Sequence, residues 1–464
     1  MKRNAEKRLG EWFENPKRKP LVIRGARQVG KSTLVRQFAK ENRLILHEVN
    51  LERHLKLTDV FATHDTHRIL KELEYISRKG PINKPRGILF LDEIQSVPIA
   101  IQTLRYFYED YPELPVITAG SLLEFSLSKH AYSMPVGRIE YLYLGPVTFK
   151  ETISALDQDD LLQLLDGYVL PDVLPTAAHD RLLEILRIYF LIGGMPEAVQ
   201  VYIDTRDLSK VFDVHSSILD TYRDDFAKYG TQAELLRLHR VFDYVPINAG
   251  DRIKYVRIDA HEQAGNLRNA LDLLAKAQVL MKAFHSDASG IPLRASIDHR
   301  KFKTYFMDCG LMNSMCGIQW ISPNELRTKD FINKGKVAEQ FIAQHIAFLG
   351  KSNKRPSLTY WLREGRSSNA EVDFILQLGN LIVPVEVKAG KSGALKSLLQ
   401  FVHQKATPAA IRFDLNVPSL QKVRHSIRQA SDTVEVSFDL LSLPLYMAED
   451  VERIFSLHSE NMSV

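Results

Sequence analysis

Eight residues, Gly25-Ala26-Arg27-Gln28-Val29-Gly30-Lys31-Ser32, fit the spacing G-x-x-x-x-G-K-[ST], which cradles phosphate. Gly25 and Gly30 let the backbone curl so that successive N–H groups face an anion. The N-terminus of the helix that follows adds partial positive charge there. Lys31 is expected to reach the β- and γ-phosphates of ATP, and the Ser32 hydroxyl to ligate Mg²⁺. Ala26, Arg27, Gln28, Val29 and Thr33 complete the expected nucleotide-binding set, with Arg27 and Gln28 facing outward.

A second acid-bearing stretch is Gly87-Ile88-Leu89-Phe90-Leu91-Asp92-Glu93. An apolar run that ends in two carboxylates predicts a buried parallel strand with the acids at its carboxyl end, where α/β sheets place ligands. Asp92 would hold the Mg²⁺ through water. Glu93 would orient and deprotonate the attacking water. Alone, Asp-Glu after an apolar run also suits a helix cap; here it stands 61 residues beyond Lys31. Pro115-Val116-Ile117-Thr118-Ala119-Gly120-Ser121 predicts another buried strand. Its polar tip, Ser121 or Thr118, is a candidate γ-phosphate contact or a plain strand-ending turn.

A third set lies near the carboxyl end: Glu339 within an amphipathic helix over 335–346, Asp373 on a strand over 370–376, and Glu386 with Lys388 on a strand over 381–388. Glu386 and Lys388 are two apart and share a strand face. Asp373 and Glu386 are 13 residues apart with a turn at Leu378-Gly379-Asn380 between them, so antiparallel pairing would bring both carboxylates together. Three acids make a hard oxygen site suited to Mg²⁺ or Mn²⁺. Lys388 would position water or stabilise charge developing on phosphorus. Ordinary edge-strand ion pairs are the alternative. Gln400 on the next helix is a candidate polar contact.

These residues need particular elements to hold them. Pro20-Leu21-Val22-Ile23 predicts the strand entering the phosphate loop, and residues 32–39, with Leu34, Val35 and Phe38 at helical spacing, predict the helix leaving it. Residues 4–15 predict an amphipathic helix and 43–50 a second strand. Residues 150–230 predict helices, punctuated by Gly193-Gly194-Met195-Pro196-Glu197. Residues 231–312 predict two helices and then a hairpin. Its loop, between 285 and 303, holds Arg294, His299, Arg300, Lys301 and Lys303, suited to phosphate contacts or to a solvated loop of a protein-docking module.

The order of phosphate loop, Asp-Glu strand and polar-tipped strand resembles the AAA+ ATPases and their close P-loop relatives. The resemblance implies a five-stranded parallel sheet with helices on both faces, a catalytic second acid and a sensing polar strand tip. Gly137-Arg138 resembles the glycine-arginine these ATPases carry before their last core strand. It implies Arg138 as a finger on a neighbouring subunit's phosphate, against the plainer reading of a structural ion pair. Gly-Gly-x-Pro-Glu is similar to a signature in a large group of prokaryotic ATPases with an uncharacterised C-terminal domain. Helices followed by a hairpin resemble a winged helix, a fold often used on DNA. Glu339, Asp373, Glu386 and Lys388 resemble the PD-(D/E)xK nuclease superfamily, without its proline before the aspartate. The expected fold is thus α/β: a P-loop ATPase core over 1–150, a helical lid over 151–230, a winged-helix region over 231–312 and a PD-(D/E)xK-like domain over 330–450.

Length and composition bound these expectations. A chain of 464 residues suggests about three domains. Hydrophobic content of 45% and charged content of 25% suit a globular protein. Two cysteines, Cys309 and Cys316, exclude a disulfide framework and a four-cysteine zinc site. The reading is cytoplasmic, with no apolar run long enough for a bilayer and no signal-peptide core. Residues 1–40 hold 12 Lys/Arg against 3 Asp/Glu, a local balance of +9, within a net charge of +5. DNA is the expected partner beside ATP, and a homo-oligomer is left open. Two functions follow: an ATPase with a metal-dependent nuclease acting on DNA, or an ATP-dependent switch that binds DNA or a protein without cutting.

Overall fold

The computed structural model describes residues 1–120, 123, 134–227, 230–318, 335–349, 352–364, 370–390, 395–429 and 432–462. The amino-terminal part alternates strand and helix: α1 (Ala5–Glu14), β1 (Leu21–Arg24), α2 (Lys31–Glu41), β2 (Ile45–Asn50), α3 (Leu57–Phe61), α4 (Thr66–Ser77), β3 (Gly87–Asp92), α5 (Ile99–Asp110), β4 (Val116–Ala119) and β5 (Glu140–Tyr143). These strands form one parallel sheet in the order β2-β3-β4-β1-β5. Both of its faces are covered. Leu21, Ile23, Ile88, Phe90, Ile117 and Ala119 face one core, and Val22, Leu89, Leu91 and Val116 face the other. The period of two along each strand sorts them, and burial on both sides is why the strands read as unbroken apolar runs.

A helical region follows: α6 (Phe149–Ala155), α7 (Asp159–Gly167), α8 (Thr176–Ile192), α9 (Pro196–Thr205) and α10 (Leu208–Phe226). A capping box starts α6, with Thr148 and Glu151 exchanging side-chain and backbone bonds. Pro196 opens α9, where its missing N–H costs nothing.

Next come α11 (Gln232–Ile247), α12 (Tyr255–Ile258), α13 (Ala264–Lys276), β6 (Leu280–Ser286), β7 (Ile297–Phe306) and α14 (Cys309–Met315). β6 and β7 pair as an antiparallel hairpin, and Arg252, between α11 and α12, bridges to Lys303.

The carboxyl part contains α15 (Gly335–Ile346), β8 (Leu358–Arg363), β9 (Ala370–Val372), β10 (Phe374–Leu378), β11 (Leu381–Val387), α16 (Lys396–Lys405), β12 (Ala409–Asp414), β13 (Ser419–Gln429), β14 (Asp432–Pro444) and α17 (Val451–Met462). β8 adds in parallel to β6, so one four-stranded sheet, β7-β6-β8-β9, joins the hairpin to the carboxyl part. The second sheet runs β10-β11-β12-β14-β13. One apolar core runs from the amino-terminal sheet through the helices to α15 and β10–β12. Among the described residues no helix is long and apolar enough to cross a membrane.

Candidate functional site

β1 delivers the chain into the phosphate loop, and α2 leaves it. Gly30 has φ +90°, a left-handed conformation that suits glycine, and a Cβ there would stand 3.5 Å from the Pro196 ring. The Lys31 ammonium donates to the carbonyls of Gly25 (3.0 Å) and Ala26 (2.8 Å). These bonds hold the side chain folded over the loop. Burial pushes the Lys31 pKa down to about 8, against the pull of Glu93 and Asp92. Ser32 Oγ donates to Asp92 Oδ2 at 2.9 Å. The two oxygens expected around one Mg²⁺ are therefore neighbours at the carboxyl ends of β1 and β3. Burial raises the Asp92 pKa, partly offset by the Ser32 bond. A divalent ion would reverse that shift, so this pair fits a Mg²⁺ carried in by ATP.

Glu93 follows β3 with φ 51° and ψ 47°, a conformation uncommon for a residue with a Cβ and often kept where strain serves function. Its backbone N–H donates to Asp92 Oδ1 at 3.1 Å, and its Oε2 accepts from Gln95 Nε2 at 2.5 Å. Gln95 is buried and fixes the carboxylate's rotamer. No motif marks Gln95; the only signal for it in the sequence is its position two residues beyond Glu93.

Several expectations are corrected by the geometry. Arg27 is only part-exposed and is not free: its guanidinium pairs with the buried Asp225 of α10, and Tyr222 Oη of the same helix donates to the Arg27 carbonyl at 2.8 Å. The Gln28 Oε1 is buried as well. The Thr118 hydroxyl is spent on the Leu91 carbonyl at 2.9 Å inside the sheet, so it offers nothing to a γ-phosphate. Arg138 pairs with Glu109 at 3.0 Å. It precedes Glu140, which is level with Leu21 at the start of β1. It therefore sits level with the amino ends of the strands, at the opposite end of the sheet from the phosphate loop, in an ion pair of the kind the plainer of the two readings expected. Thr33 is exposed on α2. Ser121 lies outside the described residues.

The loop is also held from behind. Arg3 Nη1 donates to the Val29 carbonyl at 3.0 Å while its Nε pairs with Glu151 at 2.9 Å. On the other side, Asp308 after β7 accepts the Gly194 N–H at 2.6 Å, the Leu311 N–H at 2.9 Å and Gln344 Nε2 at 3.3 Å. Gly193 (φ +64°) leaves the space for it, since a Cβ there would fall 2.1 Å from Asp308 Oδ1. Pro196 thus faces Gly30 across the space a side chain there would fill, and Gly194, two residues before it, is bonded to Asp308 at the end of β7.

The carboxyl acids form a second centre. Asp373 sits between β9 and β10, where the chain passes from one sheet to the other, and not within one strand. Its Oδ2 accepts the Val387 N–H at 2.8 Å, next to Glu386 on β11. Lys388 pairs with Glu386 Oε1. Burial raises the Asp373 pKa to about 6, helped by the Glu386 charge. Burial also raises Glu386, whose Oε2 has no hydrogen-bond partner among the described residues. Gln400 accepts from Arg363 at 2.6 Å.

Glu339 departs from the expected ligand set. Its Oε1 accepts from Tyr305 Oη at 2.5 Å and from Lys303 Nζ at 3.2 Å. The same ammonium lies 2.5 Å from Glu371. Lys303 was expected on a basic loop, and it is 1% exposed. The neighbouring cations of the hairpin are also paired, Arg300 with Asp298 and Lys301 with Glu364. Among the described residues no group of three or more His, Cys, Asp or Glu is gathered to hold a metal ion. A three-carboxylate Mg²⁺ or Mn²⁺ site does not fit this donor arrangement.

Comparison with known proteins agrees with the amino-terminal geometry. Residues 17–153 match the family model described as an AAA domain. Residues 183–322 and 334–426 each match a model described as a domain of unknown function (DUF8612 and DUF4143). An uncharacterized protein of Methanocaldococcus jannaschii, MJ1637, is 24% identical over 429 residues, covering 88% of this chain and 83% of that protein. Among solved structures, the Aeropyrum pernix ORC2 protein, in ADPNP–ADP complexes, is 14% identical and covers 68% of this chain and 91% of that one, with a TM-score of 0.33. The Thermotoga maritima RuvB Holliday junction branch migration motor is 18% identical over 60% of this chain and 88% of that one, with a TM-score of 0.28. The parallel five-stranded core thus lies within the residues that match the AAA-domain model.

Proposed function

We propose that the chain is an ATP-hydrolysing switch. Lys31 and the loop N–H groups bind the phosphates, Ser32 and Asp92 hold Mg²⁺, and Glu93, steered by Gln95, takes the proton of the attacking water. The observation that carries this reading is the Ser32–Asp92 contact of 2.9 Å beside a buried Lys31. Mg²⁺ would supply charge neutralisation at the phosphates. The helices α9 and α10 meet the loop at Gly30, Arg27 and the Arg27 carbonyl, so they feel whether phosphate fills it. Asp308 passes that constraint to β7 and the carboxyl sheets. In this reading the carboxyl part binds a partner, with DNA as the expected one, and does not cut it.

A second reading is metal-dependent DNA cleavage by Asp373, Glu386 and Lys388. The turn that brings Asp373 beside Glu386 favours it. Incubating plasmid with Mg²⁺ or Mn²⁺, with and without ATP, separates the two. The switch predicts intact plasmid and DNA binding that weakens steeply with salt. Nicking by the wild type and not by Lys388→Ala would sink the switch in favour of the nuclease.

A further inference from the structure

The second centre holds four carboxylates, Glu339, Glu371, Asp373 and Glu386, and its most buried cation comes from outside the carboxyl part. Lys303 is on β7 of the hairpin, while Glu339 is on α15 and Glu371 on β9. Three elements therefore converge on one ammonium. Nζ stands 3.2 Å from Glu339 Oε1 and 2.5 Å from Glu371 Oε1, and 5.3 Å from the centre of the Tyr360 ring. Tyr305, two residues along the same strand face, adds its hydroxyl to the same Glu339 oxygen. Gly250 closes the remaining side: a Cβ there would come within 3.0 Å of the Glu339 carboxyl.

A fully buried ammonium is costly unless paired. Here it is paired with two carboxylates, Glu339 and Glu371, at 1% exposure. The lysine is thus charged, fixed, and shielded from exchange with solvent.

We propose that Lys303 is the resident cation of the carboxyl-terminal centre, taking Glu339 out of any metal-ligand set and closing the centre to Mg²⁺ and Mn²⁺ while the hairpin is in place. An ammonium held at hydrogen-bond distance supplies the positive charge that a divalent ion would otherwise bring. It also occupies the oxygen such an ion would need. Of the two carboxylates left over, Asp373 accepts the Val387 N–H through Oδ2 and Glu386 pairs with Lys388 through Oε1, so only Glu386 Oε2 lacks a hydrogen-bond partner among the described residues. The inference does not depend on ATP hydrolysis and is tested without nucleotide.

The experiment uses the full-length, nucleotide-free chain and Mn²⁺ alone, with bound ion counted by electron paramagnetic resonance. Wild type should show no saturable Mn²⁺ at low millimolar concentration. Lys303→Met should gain one site at least tenfold tighter than anything in wild type, and Lys303→Met with Asp373→Asn should lose it again. Lys303→Met should also melt lower than wild type and recover when Mn²⁺ is added. A Lys303→Met chain that folds only with Mn²⁺ present shows the same gain. The proposal is overturned if wild type binds one Mn²⁺ that Asp373→Asn abolishes, or if Lys303→Met gains no site. It falls equally if Lys303→Met fails to fold with Mn²⁺ as well as without it.

Discussion

Asp308 is the residue on which the contact between the nucleotide-side helices and the hairpin turns, and replacing it by alanine is the sharpest test of that contact. Its side chain is buried and satisfies the Gly194 N–H at 2.6 Å, the Leu311 N–H at 2.9 Å and, more loosely, Gln344 Nε2 at 3.3 Å. Asp308→Ala leaves these donors without an acceptor and opens a void. A buried donor left unmade costs about 1–3 kcal/mol, so the two short bonds together give a loss of about 2–6 kcal/mol. For a unit of 150–250 residues that lowers Tm by roughly 4–24 °C. Asp308→Asn keeps the volume and one acceptor but turns an NH₂ toward a donor, so it should cost about half as much. The assay is thermal melting followed by near-UV circular dichroism, with and without ATP. Because Gly194 leads into Pro196 against the phosphate loop, Asp308→Ala should also lose part of the rise in Tm that ATP gives wild type. If Asp308→Ala melts within about 1 °C of wild type, the reasoning from buried donors is refuted and the contact carries no load between the two regions.

Other predictions concern the nucleotide site. Glu93→Gln should bind ATP with near wild-type affinity and hydrolyse it about 10²–10⁴-fold more slowly, so that ATP, and not ADP, is recovered from the protein. Gln95→Leu removes the 2.5 Å bond to the Glu93 carboxylate. It should lower the hydrolysis rate roughly tenfold with the ATP Kd unchanged, a split that mere misfolding would not produce. ATP binding should depend on pH through Lys31, whose pKa of about 8 is below the ordinary lysine value. Phosphate favours the charged form, so affinity is full below pH 8 and lost as pH rises through it, about fivefold from pH 8 to pH 9. Isothermal titration across that range checks it, and Lys31→Arg should bind with a flat profile because a guanidinium stays charged.

The phosphate loop and the Asp92-Glu93 strand were legible because their chemistry is local. The residues lie within one strand–turn–helix or at one strand end, and the apolar runs name the buried strands. Gln95 was invisible because its role depends on the left-handed backbone of Glu93, which no spacing reveals. Arg27 was misjudged for a different reason. Its partner Asp225 is far along the chain on α10, and only tertiary packing brings the two together. Arg138 was read from a neighbouring glycine, while its height on the sheet, level with the strand starts, depends on β5 pairing with β1. The strand over 370–376 was foreseen as one piece, yet it breaks at Asp373 because its two halves belong to different sheets. Lys303 carried a usable signal that charge alone concealed. It shares a strand face with Tyr305, a large residue buried in the structure, so that face was turning inward along β7.

We propose that Lys31, Ser32, Asp92 and Glu93 bind and hydrolyse ATP. The most direct test is a single-turnover measurement with radiolabelled ATP and Mg²⁺ on wild type, Lys31→Ala and Glu93→Gln. Wild type should bind ATP and turn it over, Glu93→Gln should bind it without turnover, and Lys31→Ala should do neither. Turnover by Lys31→Ala at the wild-type rate, or a wild type that binds no ATP, would contradict it.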